Sequence, residues 1–203
     1  DFALYLLKVN ALLLVVYLLY RVVLLRLTFY THNRYFLLLG LVSAVLFPLL
    51  DFSWLWQEPL QLNTQALVLD RLPAFSASTT ATGPDWWFAL GVLYALGFTV
   101  AALRLLLQLG SVARLYRGSE PEAVLSVKVR FSPAVQSPFT FGHTIFLDPT
   151  YHNAHELPYL LRHEQVHVQE YHTLDVLMSQ LCCVLLWFNP VVWLLSMYLR
   201  QNL

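Results

Sequence analysis

Three long apolar runs decide what this chain can become. Phe2 to Leu25 is interrupted only by Lys8, Asn10 and Arg21. Phe36 to Trp56 contains Pro48, and Trp86 to about Leu109 opens on the pair Trp86–Trp87. A transmembrane helix needs about 20 largely apolar residues. Lys8 and Arg21 lie near opposite ends of the first run and can snorkel to the two interfaces. A membrane helix tolerates Pro48, and Trp54 and Trp56 suit an interfacial belt. Only 12% of the 203 residues are charged and 58% are hydrophobic, whereas soluble domains carry about 25% charged residues. A membrane protein is therefore expected, with the lipid bilayer as its constant partner. The net charge of zero gives no general attraction to nucleic acid. The first run is too long for a cleavable signal peptide and no small-residue cleavage site follows it.

Between the second and third runs, residues 57–85 contain "SASTTATGPD", polar and without periodicity, which reads as a loop. Arg26 and Arg34 lie between the first two runs, with Arg21 close by. Arg114, Arg117, Lys128 and Arg130 follow the third, and the 57–85 loop offers only Arg71. Positive residues stay inside, so the N-terminus and the loop should face outward and everything from Gly110 onward should face the cytoplasm. The expected division is a transmembrane region over residues 1–110, with its external loop at 57–85, and a cytoplasm-facing domain over 111–203.

That second part opens with a turn at Gly118-Ser-Glu-Pro121. "AVLSVKVRFS" then sets Val124, Val127 and Val129 against Ser126, Lys128 and Arg130, close to the period of a strand. "SPFTFGHTIFLDP" reads as a strand pair around a tight turn at Gly142-His143. Two or three short strands are expected. An exposed edge carrying Phe139, Thr140 and Phe141 can take a peptide by β-augmentation, unless the sheet serves only to pack on a helix.

"LLRHEQVHVQEYH", Leu160 to His172, carries the chemistry. On a helix expected to start near Asn153, with Asn153 and Glu156 in capping-box form, His163 and His167 stand at i and i+4 and reach one ion. Glu164 lies beside them, placed to take a proton from zinc-bound water. Zn2+ is the implied cofactor. The bland alternative, two surface histidines and a solvated glutamate, sits poorly with the apolar stripe of Leu157, Leu160, Leu161, Val166 and Val168. A metzincin is excluded, because Gln169 and Thr173 stand where it needs Gly and His. His172 is one residue off that position and points to another face. Glu170 lies a turn beyond the histidine pair and reads as a solvated or substrate-facing charge. His172 and Asp175 read as supporting or structural groups. A third ligand is then expected from a different, downstream helix.

Leu174 to Phe188 reads as an apolar helix, broken and restarted at Asn189-Pro190, with Asn as N-cap and Pro as first helical residue. Val191 to Leu203 forms a second, and the two read as a hairpin in the membrane. Cys182 and Cys183, adjacent in the first, read as reduced, buried small hydrophobes.

"LLRHEQVHVQEYHTLDVL", "LLWFNPVVWLL" and "SPFTFGHTIFL" together resemble the integral-membrane metallopeptidases of the BlaR/MecR type, bacterial β-lactam-sensor transducers and their relatives. The resemblance covers the whole chain. It implies that His163 and His167 bind zinc and that Glu164 is the catalytic base. It also implies a third ligand, a Glu in an E-x-x-x-D pattern, directly after a segment resembling Gln201-Asn202-Leu203, so residues up to Leu203 hold two ligands of three. The family's antibiotic-binding domain is not among these residues, and β-lactam sensing is not implied.

The expected fold is a mainly α membrane protein: three transmembrane helices, a small cytoplasmic β-sheet, an HExxH helix and a membrane-associated helical hairpin. The expected function is a gluzincin-like zinc endopeptidase of a bacterial signalling system. It would sit in the inner membrane and cut a regulatory or membrane-associated protein, or itself, in an assembly compatible with a homodimer. The competing reading is a non-enzymatic receptor or transducer core whose metal site is structural or degenerate. Glu164 separates the two, since a structural site has no need of a base. A transporter is disfavoured, because no span carries a paired set of intramembrane charges.

Overall fold

The computed structural model describes residues 2–27, 29–50, 86–124, 127–153 and 155–203. The 57–85 loop, Trp54 and Trp56 lie outside the described residues. Among the described residues three helices are long and apolar enough to cross a membrane: α1 (Phe2–Val22), α2 (Tyr30–Leu46, continued by a 3-10 turn at Phe47–Leu49) and α3 (Trp86–Gly118). Helix α2 starts at Tyr30, ahead of the apolar run expected from Phe36. Two of its early polar residues find partners, although the buried Asn33 Oδ1 has none. Asn33 donates from Nδ2 to the carbonyls of Leu24 and Leu27 at 3.4 and 3.3 Å, and Arg34 finds carboxylates. Helix α3 runs well past Leu109. Its 33 residues span about 50 Å against a hydrocarbon core of about 30 Å, so one end projects beyond the bilayer. Its apolar side chains, Leu96, Val100 and Leu103 among them, are exposed, as lipid contact requires.

Beyond α3 come β1 (Glu120–Val124), β2 (Val127–Phe131), β3 (Phe139–Phe141) and β4 (Thr144–Leu147). The single stretch expected over 123–132 is thus the end of one strand and the whole of the next. The sheet order is β1-β2-β4-β3, with β2 and β4 parallel and the other pairs antiparallel. Every residue of β4 is buried, because the sheet is covered on both faces. On one face Val129, Ile145 and Leu147 pack with Leu161 of the following helix. On the other, Phe146 stacks on Phe139 at 5.1 Å between centroids and meets Tyr116 of α3 edge-on at 6.3 Å. The Arg130 guanidinium lies 3.7 Å above the Tyr116 ring and donates to the carbonyls of Tyr116 and Ser119 at 2.8 and 2.7 Å. The projecting end of α3 therefore holds the sheet.

Three shorter helices follow: α4 (Leu157–Gln169), α5 (His172–Leu185) and α6 (Pro190–Gln201). Asn189 caps α6 as its sequence announced, its side chain accepting from the Val191 amide at 2.8 Å with Pro190 in the first turn. Its Nδ2 donates to Asn10 Oδ1 at 2.8 Å, which explains a polar residue within α1. The α5–α6 hairpin packs into α1 and α2. Val9, Leu13, Leu37, Leu41, Cys183, Leu195 and Leu199 form one core. Both cysteines are free and buried. Helix α3 joins through Gly97, where a Cβ would come within 2.1 Å of the Trp187 ring, and through Tyr94, whose hydroxyl donates to the Leu185 carbonyl at 2.9 Å.

Candidate metal centre

Helix α4 is amphipathic, with Leu161 and Glu164 as its buried residues. It starts at Leu157, not near Asn153, because Pro158 is compatible only with a first turn. The residue at its N-cap is Glu156, which makes no side-chain cap bond. The expected capping pair survives only as a bond from Asn153 Nδ2 to Glu156 Oε1 at 3.3 Å.

One turn apart, His163 and His167 bring their Nε2 atoms to 3.3 Å, with ring planes at 86°. Zn–N bonds of about 2.0–2.1 Å at a tetrahedral angle separate two nitrogens by about 3.3–3.4 Å, so the pair has the spacing of two ligands on one ion. A carboxylate oxygen of Glu164 joins them, all three ligand atoms lying within 4.8 Å of one another. The donor set present therefore fits a zinc-type ion. Burial lowers the pKa of His167; Glu164 opposes that shift and His163 adds to it. The lone pair a metal requires is thus favoured.

Glu164 is 8% exposed. Thr140 of β3 donates its hydroxyl to Glu164 Oε2 at 2.7 Å and lies 3.2 Å from the Glu164 backbone carbonyl. A second tie, from the Gly142 amide to Thr173 Oγ1 at 2.9 Å, fixes the β3–β4 turn to the start of α5. Gly142 has φ of 60°, the left-handed conformation for which glycine is suited. Edge strand β3 is thereby pinned along α4. Beside it opens a cavity of about 380 Å³, lined among others by Phe139, Thr140, Phe141, Glu164, His167 and Leu203. The three strand residues singled out in the sequence thus reach one cavity with the glutamate and one histidine, and Thr140 is bonded to the glutamate itself.

The second half of the motif departs from a straight helix. Helix α4 stops at Gln169 and Tyr171 takes φ of 56°, the one positive value among the described non-glycine residues. The chain turns there, and His172 opens α5 with its Nδ1 against Nδ1 of His167. It does not point away, as a continuous helix would have made it. Its pKa is lowered by burial first and by nearby Arg34 second. Glu170 is not simply solvated. Its carboxylate lies 2.7 Å from Nη1 of Arg34, whose Nε is 2.5 Å from Asp175 Oδ2, while Nη2 donates to the Glu170 carbonyl. Arg34 is itself buried.

In the sequence Arg34 stands out only as one of the positive charges between the first two apolar runs. The signal was there nonetheless: an arginine beside an apolar run, and two carboxylates flanking the end of the motif helix.

The fold thus sets a His–Glu–His cluster that could hold a metal on one helix, beside an edge strand and a cavity. The chain belongs to the BlaR1 peptidase M56 family, whose model matches residues 4–203. The resemblance read from the motifs is therefore right, and the family implies a peptidase with a metal. No curated protein matches the chain.

Proposed function

We propose that this chain is the membrane-embedded core of a zinc endopeptidase that hydrolyses a peptide bond in a regulatory or membrane-associated protein, or in itself. The observation that carries the reading is the 3.3 Å approach of the two Nε2 atoms beside a glutamate held by Thr140. His163 and His167 would hold the zinc. Leu203 lines the same cavity as Glu164 and His167. Zinc bound there supplies polarisation of a carbonyl and acidification of water. Glu164 takes the proton of the attacking water on its carboxylate and returns it to the leaving amine. The Thr140 hydroxyl fixes the angle of that carboxylate. β3 offers its free edge to the substrate backbone, and the alternate side chains of the substrate meet Phe139 and Phe141.

The site faces the cytoplasm in this reading. The Arg34–Glu170 contact puts the α1–α2 turn at the same end as α4, and that end carries Arg26, Arg114, Arg117, Lys128 and Arg130.

The test compares wild type with Glu164→Gln, each purified in micelles, by zinc content and by cleavage of a quenched fluorogenic peptide library. Both should carry zinc, and Glu164→Gln should lose about 100-fold or more in cleavage, the upper range for a general base. Zinc binding with unchanged cleavage in Glu164→Gln would overturn the catalytic role. Zinc binding with no cleavage by either protein would favour a transducer core.

A further inference from the structure

A neutral imidazole has one N–H and one lone pair. His167 turns Nε2 towards His163 and the proposed ion. It can give that nitrogen's lone pair only as the Nδ1–H tautomer, and that half-buried N–H is turned towards a neighbouring ring nitrogen that can accept it. The atom facing His167 Nδ1 is Nδ1 of His172. The geometry points to His172 as a positioning residue for this reaction: it accepts the Nδ1 proton of His167, fixing the tautomer and the ring plane in which His167 meets the metal. The inference rests on the metal-pair reading above. His172 is not a third ligand, because it addresses the nitrogen of His167 opposite the one that faces His163.

The role sets a demand on His172 itself. To accept at Nδ1 it must carry its own proton on Nε2. It must also stay in place, and the fold holds it on both sides. Tyr171, immediately before it, makes the left-handed break at which α4 gives way to α5. Arg34 grips Glu170 ahead of it and Asp175 behind it. Thr173, immediately after it, receives the Gly142 amide. The imidazole that orients the metal-binding histidine is therefore clamped between membrane helix α2 and the β3–β4 turn. Arg34 thus ties α2 to the segment that carries His172.

The test uses the full chain in micelles with zinc and cobalt(II) as probes, and needs no substrate. In the metal-free wild type, histidine-selective 15N–1H NMR should show His167 protonated at Nδ1 and His172 at Nε2. His167 protonated at Nε2 would overturn the proposal, whatever any variant does. His172→Leu, which has no acceptor, should bind zinc about 10- to 100-fold more weakly, the usual cost of losing the partner behind a metal-bound histidine. Its cobalt(II) absorption bands should shift. His172→Asn offers a carboxamide oxygen and should recover much of the affinity. Wild-type affinity in His172→Leu, or Asn no better than Leu, would reduce His172 to packing. Absence of zinc and cobalt binding in the wild type would instead overturn the metal pair, and this role with it.

Discussion

Arg34→Met tests the clamp most directly. Arg34 and Asp175 are each 4% exposed, and their charged atoms approach to 2.5 Å. Removing the arginine strands a buried carboxylate and a helix-end carbonyl. Breaking a buried pair from one side costs about 3–5 kcal/mol. Glu170 is different. Its side chain is 46% exposed, so its half of the bridge is screened, and Glu170→Gln should cost about 1 kcal/mol or less. Asp175→Asn keeps Arg34 paired with Glu170 and should fall between, at roughly 2 kcal/mol. Replacing both partners, Arg34→Met with Asp175→Leu, leaves no stranded charge and should recover most of the loss. The assay is equilibrium unfolding of each variant in mixed micelles followed by circular dichroism, read as a double-mutant cycle. Arg34→Met and Glu170→Gln with equal, small effects would refute the reasoning, since Arg34 would then be solvated and not buried between two elements.

Further outcomes follow from the site and the topology. Thr140→Val removes the donor to Glu164 at nearly constant shape; zinc content should be unchanged and kcat should fall about 10-fold or more, whereas unchanged kcat would mean the hydroxyl only packs. His167 and His172 both have pKa values lowered from 6.5, chiefly by burial, so in the unfolded chain they take up protons first on acidification. Their contribution to stability is therefore present above about pH 6.5 and is lost as the pH falls through their lowered folded values. The melting temperature should drop between pH 6.5 and 5, more in wild type than in His172→Asn, and zinc should dissociate in the same direction. A melting temperature flat to pH 5 would contradict both shifts. Cysteine labelling on intact cells should modify position 80 and spare position 114, and the reverse pattern would invert the proposed orientation.

Local pattern and long-range packing divide this protein cleanly. The three apolar helices were legible because a run of that length has no soluble solution, and its residues alone report it. The His163–His167 pair was legible because i and i+4 share a helix face whatever surrounds them. Asn189-Pro190 stated its own helix start. The strands were found by alternation, but their order was not: the parallel pairing of β2 with β4 leaves no mark within either strand. Nor does any local period tell that Arg34 meets carboxylates 136 and 141 residues away. The hardest feature to read was the turn at Tyr171. A tyrosine at positive φ is locally unfavourable, so the sequence argues for a helix running straight on. The break stands because tertiary contacts hold it: Arg34 on the Glu170 carbonyl, and His143 against the Tyr171 ring at 5.6 Å. The sequence thus determined which side chains could hold a metal. Only the folded bundle decided which way the chain turned after them, and so which residue stands behind His167.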